Sequence, residues 1–110
     1  MTYEVKDSGK RQQFDSGMQR DTQEGKTLWH LVADGPMLRR WAEHLTAGSH
    51  KYTPRNWMLA SGNEEYERFR ASAWRHFMQL MLGDTDEDHA AALFFNVNGM
   101  LYVEGLLEAD

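Results

Sequence analysis

The chain contains no cysteine. Disulfides and thiolate metal sites are therefore excluded, and a reducing compartment is permitted. No run of about 18 or more consecutive apolar residues occurs, so no membrane-spanning helix and no membrane partner are expected. The opening stretch Met1–Lys10 is polar, carries charges of both signs and has no apolar centre like that of a secretory signal. A cytoplasmic location is expected. Basic clusters are missing too. Twelve Lys and Arg stand against 17 Asp and Glu, a net charge of -5, whereas a protein that neutralises nucleic-acid phosphates presents a basic surface. Direct nucleic-acid binding is not expected. No Gly-x-Ser-x-Gly elbow, P-loop or His-Glu-x-x-His helix occurs. Repeats, low-complexity tracts and convincing strand-type alternation are also absent.

What is present is enough for one domain. At 110 residues the chain can bury a core but has little surplus stability, so oligomerisation would help it. Up to Ala33 it is polar, with turn-like clusters at Asp7–Lys10, Asp15–Gly17 and Glu24–Lys26. Residues 1–33 read as an irregular arm with an apolar anchor at Leu28, Trp29, Leu31 and Val32. Three helices are predicted beyond it. The first starts with Asp34 as N-cap and Pro36 in the first turn, carries Leu38, Trp41, Ala42 and Leu45 at helical spacing, and stops at Gly48. A loop follows, because Pro54 disfavours helix at Thr53. The second opens on a capping-box spacing, Ser61 to Glu64, carries an apolar stripe Tyr66–Phe69–Ala73–Phe77–Leu80 widened by Trp74 and Met81, and ends at Gly83. The third opens on Thr85 to Asp88, again a capping-box spacing. Its run from Ala90 to Phe95 is nearly all apolar, as in helices buried among neighbours. The fold class is all-α: a small helical bundle completed by a second copy of the chain.

Polar residues fall where a helical core should be apolar. At about 100° per residue, Asp88, His89 and Asn96 share one edge of the third helix. A carboxylate, an imidazole and an amide together suit a metal, a phosphate or a base. They also read as a helix cap, a half-buried surface histidine and an inter-helix amide. His76 borders the second helix's stripe near Glu65, Ser72 and Gln79; Arg75 points the other way, as a solvated or inter-subunit ion-pair residue. Glu43 lies opposite the first helix's apolar stripe. Glu64 and Glu67 are one turn apart, a spacing that can hold a cation or favour a helix start. Lys51, Tyr52, Arg55, Asn56 and Trp57 form a basic-aromatic loop able to meet phosphates and stack on a base; Trp57 equally fits a core plug.

The order of these elements adds a resemblance. Phe14-Asp15-Ser16-Gly17-Met18-Gln19-Arg20-Asp21 with Glu24-Gly25-Lys26, then Ala42-Glu43-His44-Leu45-Thr46, Gly48, Lys51-Tyr52, Asn56-Trp57, Ser72, Arg75-His76, Gly83, Glu87-Asp88-His89-Ala90-Ala91-Ala92 and Asn96 resemble, in that order, the phage dATP/dGTP diphosphohydrolase family of N-terminal-domain type. That family is similar to the all-α nucleoside triphosphate pyrophosphohydrolases of MazG type. The resemblance implies a usually oligomeric helical enzyme that uses Mg²⁺ or Mn²⁺ to split dGTP or dATP into monophosphate and pyrophosphate, in the host cytoplasm if phage-encoded. Residues 34–110 would be the nucleotide-binding domain. Glu43, Glu87 and Asp88 would hold metal. His76, Glu87 and His89 would be catalytic. Arg20, Lys26, Lys51, Tyr52, Arg55, Asn56, Trp57, Arg75 and Asn96 would bind substrate. The first helix brings one acid, Glu43, where MazG-type enzymes bring two, so the shell would be completed by His76, His89 or a second subunit. Two other readings compete: a protein that binds or sequesters nucleotide without turnover, and a protein-interaction module.

Overall fold

The computed structural model describes residues 2–109. The element order is a short hairpin (β1, Arg11–Gln13; β2, Gln19–Asp21), a 3-10 turn at Trp29–Ala33, helix α1 (Met37–Lys51), a 3-10 turn at Asn56–Leu59, and helices α2 (Asn63–Leu82) and α3 (His89–Ala109). The chain is mostly helical, as its periodicity predicts.

The arm is less irregular than expected. Gly17 takes a left-handed φ of 92°, and the Gly17 amide donates to the Phe14 carbonyl at 2.9 Å. A tight turn followed by a left-handed glycine is a hairpin device. It sets Arg11 opposite Asp21 and Gln13 opposite Gln19 in antiparallel register. The strands escape sequence detection because both faces are exposed, which removes the alternation that marks a strand.

Each helix boundary has a local cause, and four details differ from expectation. Asp34 is not the cap of α1. The chain reverses at Gly35 (φ 78°), so the Asp34 amide closes the preceding 3-10 turn onto Leu31. Helix α1 starts behind Pro36 with no side-chain cap. Gly48 does not end α1 either; its carbonyl accepts the Tyr52 amide at 2.8 Å, and the helix continues until the restricted Thr53–Pro54 bond. In α2 the capping acid is Glu65, not Glu64. Its Oε1 accepts from the Ser61 and Gly62 amides at 2.9 and 3.1 Å. Gly62 has no side chain to return the bond, so only half of a capping box forms. Gly83 ends α2 in the left-handed conformation, as expected. Asp88 alone caps α3, accepting from the Ala91 amide at 3.0 Å; Thr85 takes no part in a box.

Helix α3 is the centre of the bundle. Its main neighbour is α2, and α1 packs along the other side. The buried apolar residues are small: Ala60, Ala73, Ala91, Ala92 and Val103. Alanines bring the helix backbones close, and aromatic side chains fill the remaining space. Trp41 stacks on Phe94 at 4.6 Å, and Phe95 meets His44, Trp57 and Phe69. By length and composition α3 is apolar enough to cross a membrane, although no uninterrupted apolar run marks it; Asn96, Asn98 and Glu104 break the sequence.

Gly99 fixes the α2–α3 approach. A Cβ there would lie 2.6 Å from the Phe69 ring. Replacing a helical glycine by alanine ordinarily gains about 1 kcal/mol. Here overpacking of about 1–3 kcal/mol outweighs that gain. Gly99→Ala is therefore expected to lower the thermal midpoint, whereas the exposed Gly105→Ala in the same helix raises it. Calorimetric melts of the two variants check this.

Candidate functional site

Two adjoining features stand where the helices meet. The first is a buried polar chain between α2 and α3. His76 and His89 are only 6% and 2% exposed, and their Nδ1 atoms lie 2.9 Å apart. His89 Nε2 is 2.7 Å from Asp86 Oδ1, and Arg75 Nη2 is 3.4 Å from His76 Nε2. These contacts select one set of neutral tautomers. A carboxylate only accepts, so His89 donates through Nε2 and accepts at Nδ1. His76 then donates through Nδ1 and accepts from Arg75 at Nε2. Burial pushes the His76 pKa down, and the Arg75 charge adds to this. The hydrogen bond from His89 holds the Asp86 carboxyl below its ordinary value. Glu87 completes the cluster: one donor atom each from His76, Glu87 and His89 lie within 4.8 Å of one another.

The second feature is a cleft of about 990 Å³. Its walls come from the end of α1, the Tyr52–Ala60 loop, the first turns of α2 and the middle of α3. Arg55, Asn56, Trp57 and Tyr52 line it, with Arg68 and Ser72 of α2 and the buried Asn96 of α3. Trp57 is half-buried at the cleft's edge. It stands edge-on to Tyr102 and Phe95 at 5.2 and 6.4 Å and still faces the cleft. Asn96 donates Nδ2 to the Ala92 carbonyl at 2.8 Å, which leaves its oxygen as the group to offer. Arg55 is the one non-glycine residue with a left-handed φ, 62°, among the described residues. Such a conformation costs about 1–3 kcal/mol and persists where its surroundings enforce it. The cleft and the histidine chain share α2: Ser72 is one turn from His76.

Of the expected residues, the structure brings together His76, Glu87 and His89 in one cluster and Tyr52, Arg55, Asn56, Trp57 and Asn96 in one cleft. Others stand apart from both. Glu43 is exposed and paired with Arg39 at 3.0 Å. Asp88 faces α1, where Arg40 grips it through two bonds of 2.8 and 2.5 Å. Lys51 lies over the Tyr52 ring at 5.2 Å, outside the cleft lining. Arg20 sits on the hairpin, and Lys26 approaches Asp21 at 3.9 Å. Arg75 touches the cluster only through His76 Nε2. Arg68 and His44, both on the cleft wall, are not among the expected site residues. Arg68 stands four residues before Ser72 and eight before His76, so continuing that spacing backwards would have found it. His44 lies on the cleft wall and close enough to His76 to disfavour its charge; it follows Arg40 by four residues, a signal that means something only once Arg40 is known to reach Asp88.

The Arg40 guanidinium, first by its hydrogen bonds, holds the Asp88 carboxyl down at about 2. Its unfolded value is 3.8, so the pair's contribution is complete above that value and is lost as the pH falls toward 2. The pair is over a third exposed, so the contribution is about 1 kcal/mol or less. Arg40→Ala should shift acid unfolding, followed by circular dichroism, to higher pH and leave neutral-pH helicity unchanged.

Searches of curated proteins and of solved structures return no match. The family described as dATP/dGTP diphosphohydrolase, N-terminal, matches residues 16–106, a span that contains β2, the cleft and the histidine cluster, and the chain belongs to that family.

Proposed function

We propose that the protein hydrolyses purine deoxynucleoside triphosphates, dGTP or dATP, to monophosphate and pyrophosphate with the help of a divalent cation. The observation that carries this reading is the buried His76–His89 pair with Glu87, set one turn of α2 from a cleft offering Arg55, Arg68 and Trp57. The triphosphate tail lies toward the cleft arginines, whose charge-assisted hydrogen bonds suit phosphate oxygens. Trp57 packs the base, and the Asn96 oxygen orients sugar or base. The donor set fits a divalent cation: two imidazole nitrogens and a carboxylate converge, whereas Glu43 and Asp88 are engaged by arginines. When bound, such an ion supplies charge neutralisation at the phosphates and a more acidic water. Without the ion, His76 and His89 share a proton between their Nδ1 atoms, and Asp86 keeps His89 oriented.

Pyrophosphate release from dGTP and dATP with Mg²⁺ and with Mn²⁺ tests this; no release from either nucleotide with either ion overturns it. The engagement of Glu43 and Asp88 favours one rival, a protein that binds nucleotide without turnover. Tight, metal-independent nucleotide binding with no hydrolysis would establish that rival. Arg55 separates binding from folding. Arg55→Gly relieves the left-handed backbone, so stability holds or rises. Loss of the guanidinium should weaken dGTP binding by about tenfold, the scale of one charge-assisted bond. Calorimetric titration and a thermal melt of the same variant give the two readouts.

The working unit is a homo-oligomer. A compact domain of this length has a radius of gyration of about 13 Å, against 19.6 Å here. The fully buried apolar residues are nearly all alanines, while Trp74, Met78, Met81 and Leu101 are 60%, 49%, 62% and 59% exposed. So small a core is what a chain has when a copy of itself supplies the rest.

A further inference from the structure

We infer that His76, His89 and Glu87 form a resident site for a first-row transition-metal dication of the Co²⁺, Ni²⁺ or Zn²⁺ type, selected over Mg²⁺, with Asp86 as the residue that positions His89. The inference rests on the proposed hydrolase only for its use, not for its chemistry. Mg²⁺ is a hard ion that takes oxygen ligands and keeps several waters. Imidazole suits the borderline metals, and affinity for nitrogen sites rises along the first row toward copper. Two of the three donors here are imidazoles, and both are more than nine-tenths buried. A buried nitrogen pair facing a single carboxylate is a poor site for Mg²⁺ and a good one for a borderline ion.

The spacing agrees. Ligand atoms about 2.1 Å from a metal stand roughly 3 Å apart at octahedral right angles and roughly 3.4 Å apart in a tetrahedron. The two Nδ1 atoms are 2.9 Å apart. Asp86 supplies the outer shell. His89 donates its Nε2–H to Asp86 Oδ1 at 2.7 Å, which fixes the tautomer and leaves Nδ1 as the free lone pair. Metal-bound histidines commonly show this carboxylate–histidine arrangement. His76 must change. The proton now shared between the two Nδ1 atoms moves to His76 Nε2, with no net release, and Arg75 swings aside from that nitrogen. Arg75 is exposed, so this movement is open to it. The site also separates a resident ion from the Mg²⁺ that a triphosphate brings on its own phosphates.

Titration of the chelator-stripped full-length chain with Co²⁺ and with Mg²⁺, without nucleotide, tests the site. One Co²⁺ per chain should bind at least about a hundredfold more tightly than Mg²⁺, with visible absorption of nitrogen-ligated cobalt and large paramagnetic shifts of the His76 and His89 ring protons. Glu87 is exposed, so Glu87→Gln should fold normally and weaken Co²⁺ at least about tenfold. Asp86→Asn should weaken it about 10–100-fold, the usual outer-shell effect. Equal affinity for the two ions, unshifted histidine signals, or undiminished Co²⁺ binding by Glu87→Gln overturns the site. Pyrophosphate release supported by Mg²⁺ in a chain that fails these tests removes this inference and leaves the hydrolase standing. Tight Co²⁺ binding at the histidines with no release from any nucleotide does the reverse.

Discussion

His89→Ala is expected to slow pyrophosphate release from dGTP by at least about a hundredfold, the lower end of what a positioned acid–base or metal-ligating group supplies. His89 is the most buried polar side chain of the domain, 2% exposed. It uses both ring nitrogens, Nδ1 toward His76 and Nε2 toward Asp86. Its removal strips His76 of its partner inside the bundle. That loss costs stability as well, about 1–3 kcal/mol for a buried polar group left unsatisfied. Activity must therefore be read against folded fraction. Asp86→Asn provides the separation. Asp86 is at the surface, its side chain 66% exposed, and the amide keeps its shape. The amide nitrogen can face His89 and lose the acceptor that selects the Nε2–H tautomer. A roughly tenfold slower reaction with an unchanged melt marks His89 orientation as functional. Full activity in both variants would remove the cluster from the catalytic machinery.

The helices were legible in the sequence because their apolar residues recur at helical spacing and because Gly83 and Pro54 punctuate them. The hairpin was not, since exposed strands have no buried face to record. Helix starts were misplaced by one or a few residues, because capping depends on the local chain path. Asp34 was read as the cap where Pro36 holds that place, and Glu64 as the capping acid where Glu65 does, because only the path of the chain through Gly35 and Gly62 decides. The site divides in the same way. His76 and His89 were individually visible as polar residues on helix edges, and Glu87 came in only through the family resemblance. That their donor atoms converge depends on how far α2 and α3 are rotated against each other, which Gly99 and Phe69 set. The removal of Asp88 from the cluster has a similar origin. On α3 it shares an edge with His89, but the choice between cluster and α1 was made by Arg40, 48 residues away.

The second large effect concerns the outer face of α2. In the sequence, Phe77 reads as part of the core stripe, and Trp74 and Met81 as residues that widen it. In the structure that stripe is Phe69, Ser72, Ala73, His76 and Leu80, and Trp74, Phe77, Met78 and Met81 run along another side of α2 at the spacing of a second helical face. Trp74 and Phe77 pack edge-to-face at 6.1 Å and remain 60% and 38% exposed. On α3, Phe94, Val97 and Leu101 make another partly exposed apolar row. Two such rows on the longest helices, beside a core of alanines, are the surface that the proposed homo-oligomer would bury between copies of α2 and α3. Full burial of side chains this size gains about 1.5–3 kcal/mol each, and a twofold axis counts every residue twice. The double variant Trp74→Glu, Met81→Glu adds two charges per chain to the contact while leaving the α2–α3 seam untouched. It is expected to convert the assembly to monomer in analytical ultracentrifugation and to lower the thermal midpoint by 10 °C or more, at about 4–8 °C per kcal/mol for a domain of this size. A parent chain that sediments as a monomer at micromolar concentration would overturn the oligomer, and with it the explanation for so small a core.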